Sequence, residues 1–410
     1  MKTTLKLLAG FLVSFCAAGQ AQVVPEATGP AIQTTNGKVQ YALRYSETGQ
    51  FSTLLPSWQT SSVSGSVAYA NANEHRPFTM EYGGGYTWTL TGPDYDSGQF
   101  HHLFLSQGLD SRQWKLLLSN DFIYLPETPT TGFLGIPGTG ESIGGTSPAP
   151  PSSTQSILTL NTRALSNDST GELSYDLNAG TTLSFGGGWG LLRFPDNNGT
   201  DTNTLSANAQ FLRNLNGRTG LSGNYKFSQF TYPGYSYTID TNAAVLGIER
   251  KWTRNLTTLV SAGPDWITSN TTVVPSSTNV DATGSISYRL RFASANVRYD
   301  RGINGGAGYL IGGQFDSLTG GLIHEFGPNL TLGLSGGYRR TGSLNDGGTT
   351  EGAFGGAEGT WHLGRNIIVF ANYTGIDQFT TSPLPSNTLN QLLQIVGFGV
   401  GYSPRQARGN

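Results

Sequence analysis

Side-chain polarity flips from one residue to the next through most of this chain. Phe78, Met80, Tyr82, Tyr86, Trp88 and Leu90 fall on one parity, and Thr79, Glu81, Gly83, Thr87 and Thr89 on the other. Leu330, Leu332, Leu334 and Tyr338 oppose Thr331, Ser335 and Arg339. Val396, Phe398, Val400 and Tyr402 oppose Gly397, Gly399, Gly401 and Ser403. A period of two is the signature of a strand with two different faces. A helix cannot use it, because its apolar positions must recur every three to four residues.

The connections carry a second rhythm. Very short polar connections at 108–112, 179–180, 253–255, 291–293, 327–329 and 363–365 alternate with long stretches rich in Gly, Asn, Pro and Ser. The long ones include 47–60, 91–99, 126–155, 195–201, 230–236, 269–280, 302–312, 342–350 and 375–390. A closed membrane barrel has this property, with tight turns on the periplasmic rim and longer loops outside. A Greek-key sandwich has no reason to keep it. The rhythm predicts an all-β fold: a closed antiparallel transmembrane barrel of about 18 strands (16–20), beginning at 38–46 and ending at 391–403. Treating 156–178 as one strand preserves the alternation but puts Leu158 and Leu160 out of phase with Leu173, Tyr175 and Leu177, so a bulge is expected near Asn167.

Composition narrows the alternatives. Charged residues make up 12%, against about 25% in ordinary soluble proteins, while Gly numbers 57 in 410 residues. Such a chain is a poor helix former, and no helix is available to cover the apolar faces. They must meet a second sheet or lipid. The net charge of −2 lacks the basic footprint that nucleic acid requires. Residues 1–21 read as a secretory signal: Lys2 and Lys6, an apolar run over 7–18, then Gly19-Gln20-Ala21 at the cleavage site. Cys16, the one cysteine, lies within it, so the mature chain has no disulfide or thiolate metal site. Residues 22–37 form a short periplasmic segment, 38–403 the barrel and 404–410 a tail.

The chain resembles the bacterial outer-membrane β-barrel proteins, in particular the larger porin-like ones. The likeness lies in the signal segment, the pattern of the whole mature chain and the last strand, 394–402, which is similar to the C-terminal strand by which such proteins engage the barrel-assembly machinery. Here eight residues, 403–410, follow Tyr402, where the family commonly ends on the aromatic. The resemblance implies residence in the bacterial outer membrane, contact with its lipid, and passive diffusion of small hydrophilic solutes, with a homotrimer as a compatible assembly. It also implies that the longest loop, 126–155 with Glu127 and Glu141, folds inward as a constriction.

Parity assigns the faces. Trp114, Trp252, Trp361 and Tyr402 should mark the periplasmic interface, and Trp88, Tyr124, Tyr299, Tyr338 and Tyr373 the external one, on the lipid side. Phe354 is out of phase with Trp361. The inward charges are Arg44, Lys115, Lys226, Lys251, Arg289, Arg291, Arg298 and Arg339 against Glu81, Asp121, Glu249, Asp300, Glu325 and Glu358. That balance implies weak ion selectivity. Arg289, Arg291 and Arg298 could form a basic strip, or each could pair with a carboxylate such as Asp300.

Catalytic and cofactor readings are weak. The five histidines show no helical metal-ligand spacing, and His101 and His102 point to opposite faces. The run 135–142 resembles a phosphate loop, but Glu141 stands where Lys is needed. No enzyme activity and no cofactor are expected. Two rivals to a pore are a closed barrel whose external loops bind a partner, and a lipid-modifying enzyme of the barrel wall.

Overall fold

A computed structural model describes residues 39–403, apart from 72, 74, 93–96, 126–162, 197–198, 307, 328, 346 and 382–389. The signal segment, Glu127, Glu141 and the tail therefore lie outside the described residues. The described chain forms eighteen strands: β1 Val39–Ser52, β2 Trp58–Asn71, β3 Phe78–Thr91, β4 Gly98–Asp110, β5 Trp114–Leu125, β6 Ala164–Asn178, β7 Thr181–Arg193, β8 Thr202–Asn216 and β9 Thr219–Tyr232. The second half adds β10 Tyr237–Lys251, β11 Leu256–Ser269, β12 Ser277–Arg289, β13 Ala293–Asn304, β14 Gly313–Phe326, β15 Leu330–Ser343, β16 Thr349–Leu363, β17 Ile367–Thr380 and β18 Leu392–Tyr402.

Each strand pairs antiparallel with its neighbours in sequence, and β1 pairs with β18 from Leu43↔Tyr402 to Ser52↔Leu393. The sheet is closed, so no edge carries unpaired amides. Closure is what lets a sheet live in hydrocarbon, which offers no hydrogen-bond partners.

The outer surface is greasy. Leu246 is 76% exposed, Leu334 56%, Phe398 56% and Ile286 52%. Their inward neighbours are polar, small or buried, as with Ser335, Gly397 and Thr283. An uninterrupted band of exposed Leu, Val, Ile and aromatics around a closed barrel is a lipid-facing surface, and the barrel spans a membrane by this criterion. No helix is long and apolar enough to cross one, and here strands do the crossing.

Several expectations are corrected. The irregularity in β6 is not at Asn167, where pairing with β5 runs unbroken, but at Asp176/Asn178 against β7. The extra residue sits where the two-residue turn 179–180 closes, and Gly180 N donates to Asn178 Oδ1 at 3.0 Å. Within β6 the phase never changes: Leu173 and Leu177 face out, while Ser166 and Ser184 across the sheet are buried inside. Leu158 and Leu160, which motivated the bulge, lie outside the described residues. Several strands also run further outward than their apolar pattern. The first reaches Ser52 rather than 46, and the seventeenth Thr380 rather than 375. Above the hydrocarbon the outer face is wet, so alternation fades while the ladder continues.

Candidate functional site

The inner wall divides into three zones. At the tight-turn end, Lys115 lies 3.6 Å from Asp176 and Lys251 lies 3.8 Å from Glu249, all partly exposed. Glu325 and Arg289 face inward at the same end. Arg291 does not belong to the wall. It lies in the turn 290–292, beyond β12, with its guanidinium 4.9 Å from the Phe292 ring centre.

The middle zone is polar and charged, and its two sides differ. On β3–β6, Glu81, Asp121, Asp168 and Glu172 face inward with His102. Asp121 stands opposite Asp168 in the ladder, and Phe104 separates it from Glu81. His102 Nε2 is 2.7 Å from Asp121 Oδ1, and both residues are buried. No Lys or Arg of β3–β6 other than Lys115, near the tight turns, shares this arc. Half the circumference away, on β13 and β15, lie Arg298 and Arg339. Arg298 grips Asp300 with Nε at 2.5 Å and Nη2 at 2.8 Å. Arg339 is buried, 5.9 Å from the Phe315 ring centre, and Asp300 acts on it electrostatically. On the flank between, Lys226 Nζ reaches from β9 to Asp281 on β12 at 3.0 Å, with Asp265 on β11 buried beside them. Arg44 faces inward from β1, with its guanidinium 5.9 Å from the Phe370 ring centre. The lumen thus has an acidic arc facing an arginine-bearing one.

The basic strip of Arg289, Arg291 and Arg298 is not formed. Arg289 stands at the last position of β12, Arg291 in the turn, and Arg298 opposite Ser285 with Asp300 as its partner. Asp168, Glu172, Asp265 and Asp281 escaped the sequence reading. The misplaced bulge obscured the first two. Asp265 follows Pro264, an unusual strand residue, and Asp281 was set at a strand start rather than mid-wall.

The external mouth is different again. Its inward face carries apolar clusters among buried polar side chains such as Gln50 and Gln378. Phe230, Tyr232, Ile239, Ile267 and Val274 form one buried cluster, with Ile303, Ile311 and Leu344 against it. Trp58, Ile376, Leu393 and Ile395 form another, covered by Leu55 and Phe354. This explains the out-of-phase Phe354: it faces inward to meet this cluster. A third holds Ala164, Leu192 and Phe194, with Tyr309 packed on it.

Tyr309 belongs to the segment 305–312, which joins β13 to β14 yet docks on β7–β9, four to six strands away around the ring. Thr200 N donates to Gly308 O at 2.5 Å, and the Tyr232 hydroxyl donates to Gly305 O at 3.2 Å. Gly308 has φ +77°, and a Cβ there would strike the Phe194 ring. Glycine is required on both counts. Among the described residues, 305–306 and 308–312 therefore fold inward from β13–β14 onto the β7–β9 side of the mouth. The candidate constriction residues Glu127 and Glu141 lie outside the described residues.

The aromatics assigned by parity to the two interfaces face out. Trp114, Trp252, Trp361 and Tyr402 are 42–53% exposed near the tight turns, and Tyr338 and Tyr373 41–45% toward the long loops. Trp88 and Tyr299 share the outward parity but are half-buried, Trp88 against Tyr86. Among the described residues no group of three His, Cys, Asp or Glu could hold a metal ion.

No protein-family profile matches this chain, and no curated protein matches it in sequence. Solved structures do align along nearly its whole length. OccK2 (OpdF) of Pseudomonas aeruginosa in complex with glucuronate shares 13% identity over 92% of this chain and 100% of its own, with a TM-score of 0.45. The outer-membrane protein OpdK of the same organism shares 11%, covering 90% and 99%, at 0.46. Acinetobacter baumannii OccAB4 shares 11%, covering 90% and 98%, at 0.47.

Proposed function

We propose that this chain is an outer-membrane channel through which small hydrophilic solutes diffuse passively. One observation carries the reading: a closed barrel of eighteen strands with a greasy outside and a charged, polar middle zone inside. Barrels of 16–18 strands are too wide for wall side chains to fill, so water occupies the centre. The arcs of Glu81, Asp121 and Asp168 on one side and Arg298 and Arg339 on the other set a transverse field for a solute with separated charges. In this reading residues 1–21 export the chain, the barrel-assembly machinery takes up β18, and loop 126–155 adds to the narrowing begun by 305–312. A homotrimer is compatible with it.

A second reading has an observation of its own. The docked segment 305–312 and the apolar clusters fill part of the external mouth, as a closed barrel that binds a partner through its loops would require. Single-channel recording in a planar bilayer separates the two. Steady open current is expected for the channel; an inserted barrel that never conducts overturns it. Hydrolysis of phospholipid by the purified protein, abolished by one substitution, would instead support an enzyme.

A further inference from the structure

The eight turn-side connections carry mainly positive charge. Six of them hold an arginine: Arg76, Arg112, Arg218, Arg254, Arg291 and Arg365. By sequence they hold one carboxylate, Glu74, which shares the turn of Arg76 and lies outside the described residues. None of these guanidinium groups makes an ion pair with a described residue. Just inside the turns, Arg213 on β8 and Arg250 on β10 point outward, in phase with the lipid-facing Phe211 and with Leu246 and Ile248. Arg250 lies 4.2 Å from the centre of the Trp252 ring and Arg291 4.9 Å from that of Phe292.

The opposite rim is built otherwise. There the outward arginines are neutralised across the ladder: Arg301 with Asp316 at 3.2 Å and Arg340 with Glu351 at 3.4 Å.

We propose that the turn-side arginine collar binds the phosphodiester groups of anionic phospholipids in the leaflet surrounding the tight turns. Position supports this. A cation on the greasy parity, one step beyond the apolar band and stacked on an interfacial aromatic, sits at headgroup depth rather than out in the aqueous phase. Chemistry supports it as well, because a guanidinium fork matches two phosphate oxygens at once, and nothing within the described protein competes for it. Zwitterionic lipids carry the same phosphate beside their own ammonium, so net anionic headgroups are favoured.

The inference is independent of whether the lumen conducts and needs only the membrane-embedded barrel. The test is native mass spectrometry of the full chain released from nanodiscs containing equal phosphatidylglycerol and phosphatidylcholine. Retained lipid should be enriched in phosphatidylglycerol. The triple variant R213Q/R250Q/R291Q should lose that enrichment, by roughly fivefold per arginine removed, the effect of one basic residue at an anionic surface. The triple lysine variant should keep most of it, and R301Q/R340Q on the other rim should change nothing. Heat-modifiable migration shows which variants are closed barrels. Equal retention of both lipids by the wild-type barrel overturns the proposal. So does equal retention together with binding of soluble polyglutamate, which would assign the collar to an acidic partner in water. A chain that never enters the nanodisc overturns this proposal and the channel together, whereas a conducting barrel without lipid preference overturns this one alone.

Discussion

The middle of the barrel wall and its external mouth obey different rules, although the same strands build both. In the middle, inward residues are mostly Ser, Thr, Gly and ionisable groups, with single aromatics such as Phe104 and Phe370, and outward ones are mostly Leu, Val and Ile. At the mouth, Trp58, Phe230, Ile239, Ile376 and Leu393 are buried inside. Depth alone does not explain the change. What differs is the material facing the wall. Mid-barrel residues face a lumen, whereas those at the mouth face the protein itself, in the form of 305–312, Val274, Leu344 and Leu55. The inner face gains apolar clusters where other parts of the chain fold against it, beside buried polar groups such as Gln50 and Gln378.

Substitutions can break this contrast. The largest effect should come from Leu334→Arg. It places a charge on the lipid face and should cost about 2–4 kcal/mol near the bilayer midplane. Ser335→Arg, one residue along, faces the lumen between Gly321 and Gly356 and should be tolerated. Urea unfolding from liposomes measures both, and equal losses would reverse the assignment of faces. Gly308→Val should follow, at about 1–3 kcal/mol for the strained backbone. It should also free 305–312 from Phe194 and raise single-channel conductance, whereas unchanged conductance would mean the segment does not limit flow. Asp121→Ala leaves His102 buried without its partner and should cost about 1–3 kcal/mol. Thinning the acidic arc should also lower the cation-to-anion permeability ratio, read as a smaller reversal potential in a salt gradient. Smallest is Arg163→Ala. Its guanidinium, held firmly protonated by Asp196 at 2.8 Å, ties the start of β6 to the loop after β7, but the pair is exposed. About 0.5 kcal/mol in the same unfolding assay is expected.

This contrast also explains what could be read from the sequence. Strand number, order and most boundaries follow from alternation, because lipid outside and water inside enforce polarity at every residue; 181–193 and 313–326 coincide with β7 and β14. Alternation misleads where a third environment enters. Phe354 looked out of phase because its partners, Trp58 and Leu393, come from strands distant in sequence. Asp168 and Glu172 were lost when the phase of β6 was judged from Leu158 and Leu160. Arg291 was placed on the wall because parity was carried past the end of β12 into the turn. The docking of the described part of 305–312 had no local signal at all: its anchors, Phe194, Thr200 and Tyr232, lie more than seventy residues upstream.

The seam between β1 and β18 has a consequence for biogenesis. Because the first hairpin's free margin is satisfied only by the last eleven residues of the sheet, no shorter product is a working intermediate. A nonsense mutation that removed β18 alone would leave β1 and β17 each with a bare row of amides and carbonyls, a template for intermolecular stacking. Truncated alleles should therefore yield no smaller pores, only material for periplasmic proteases.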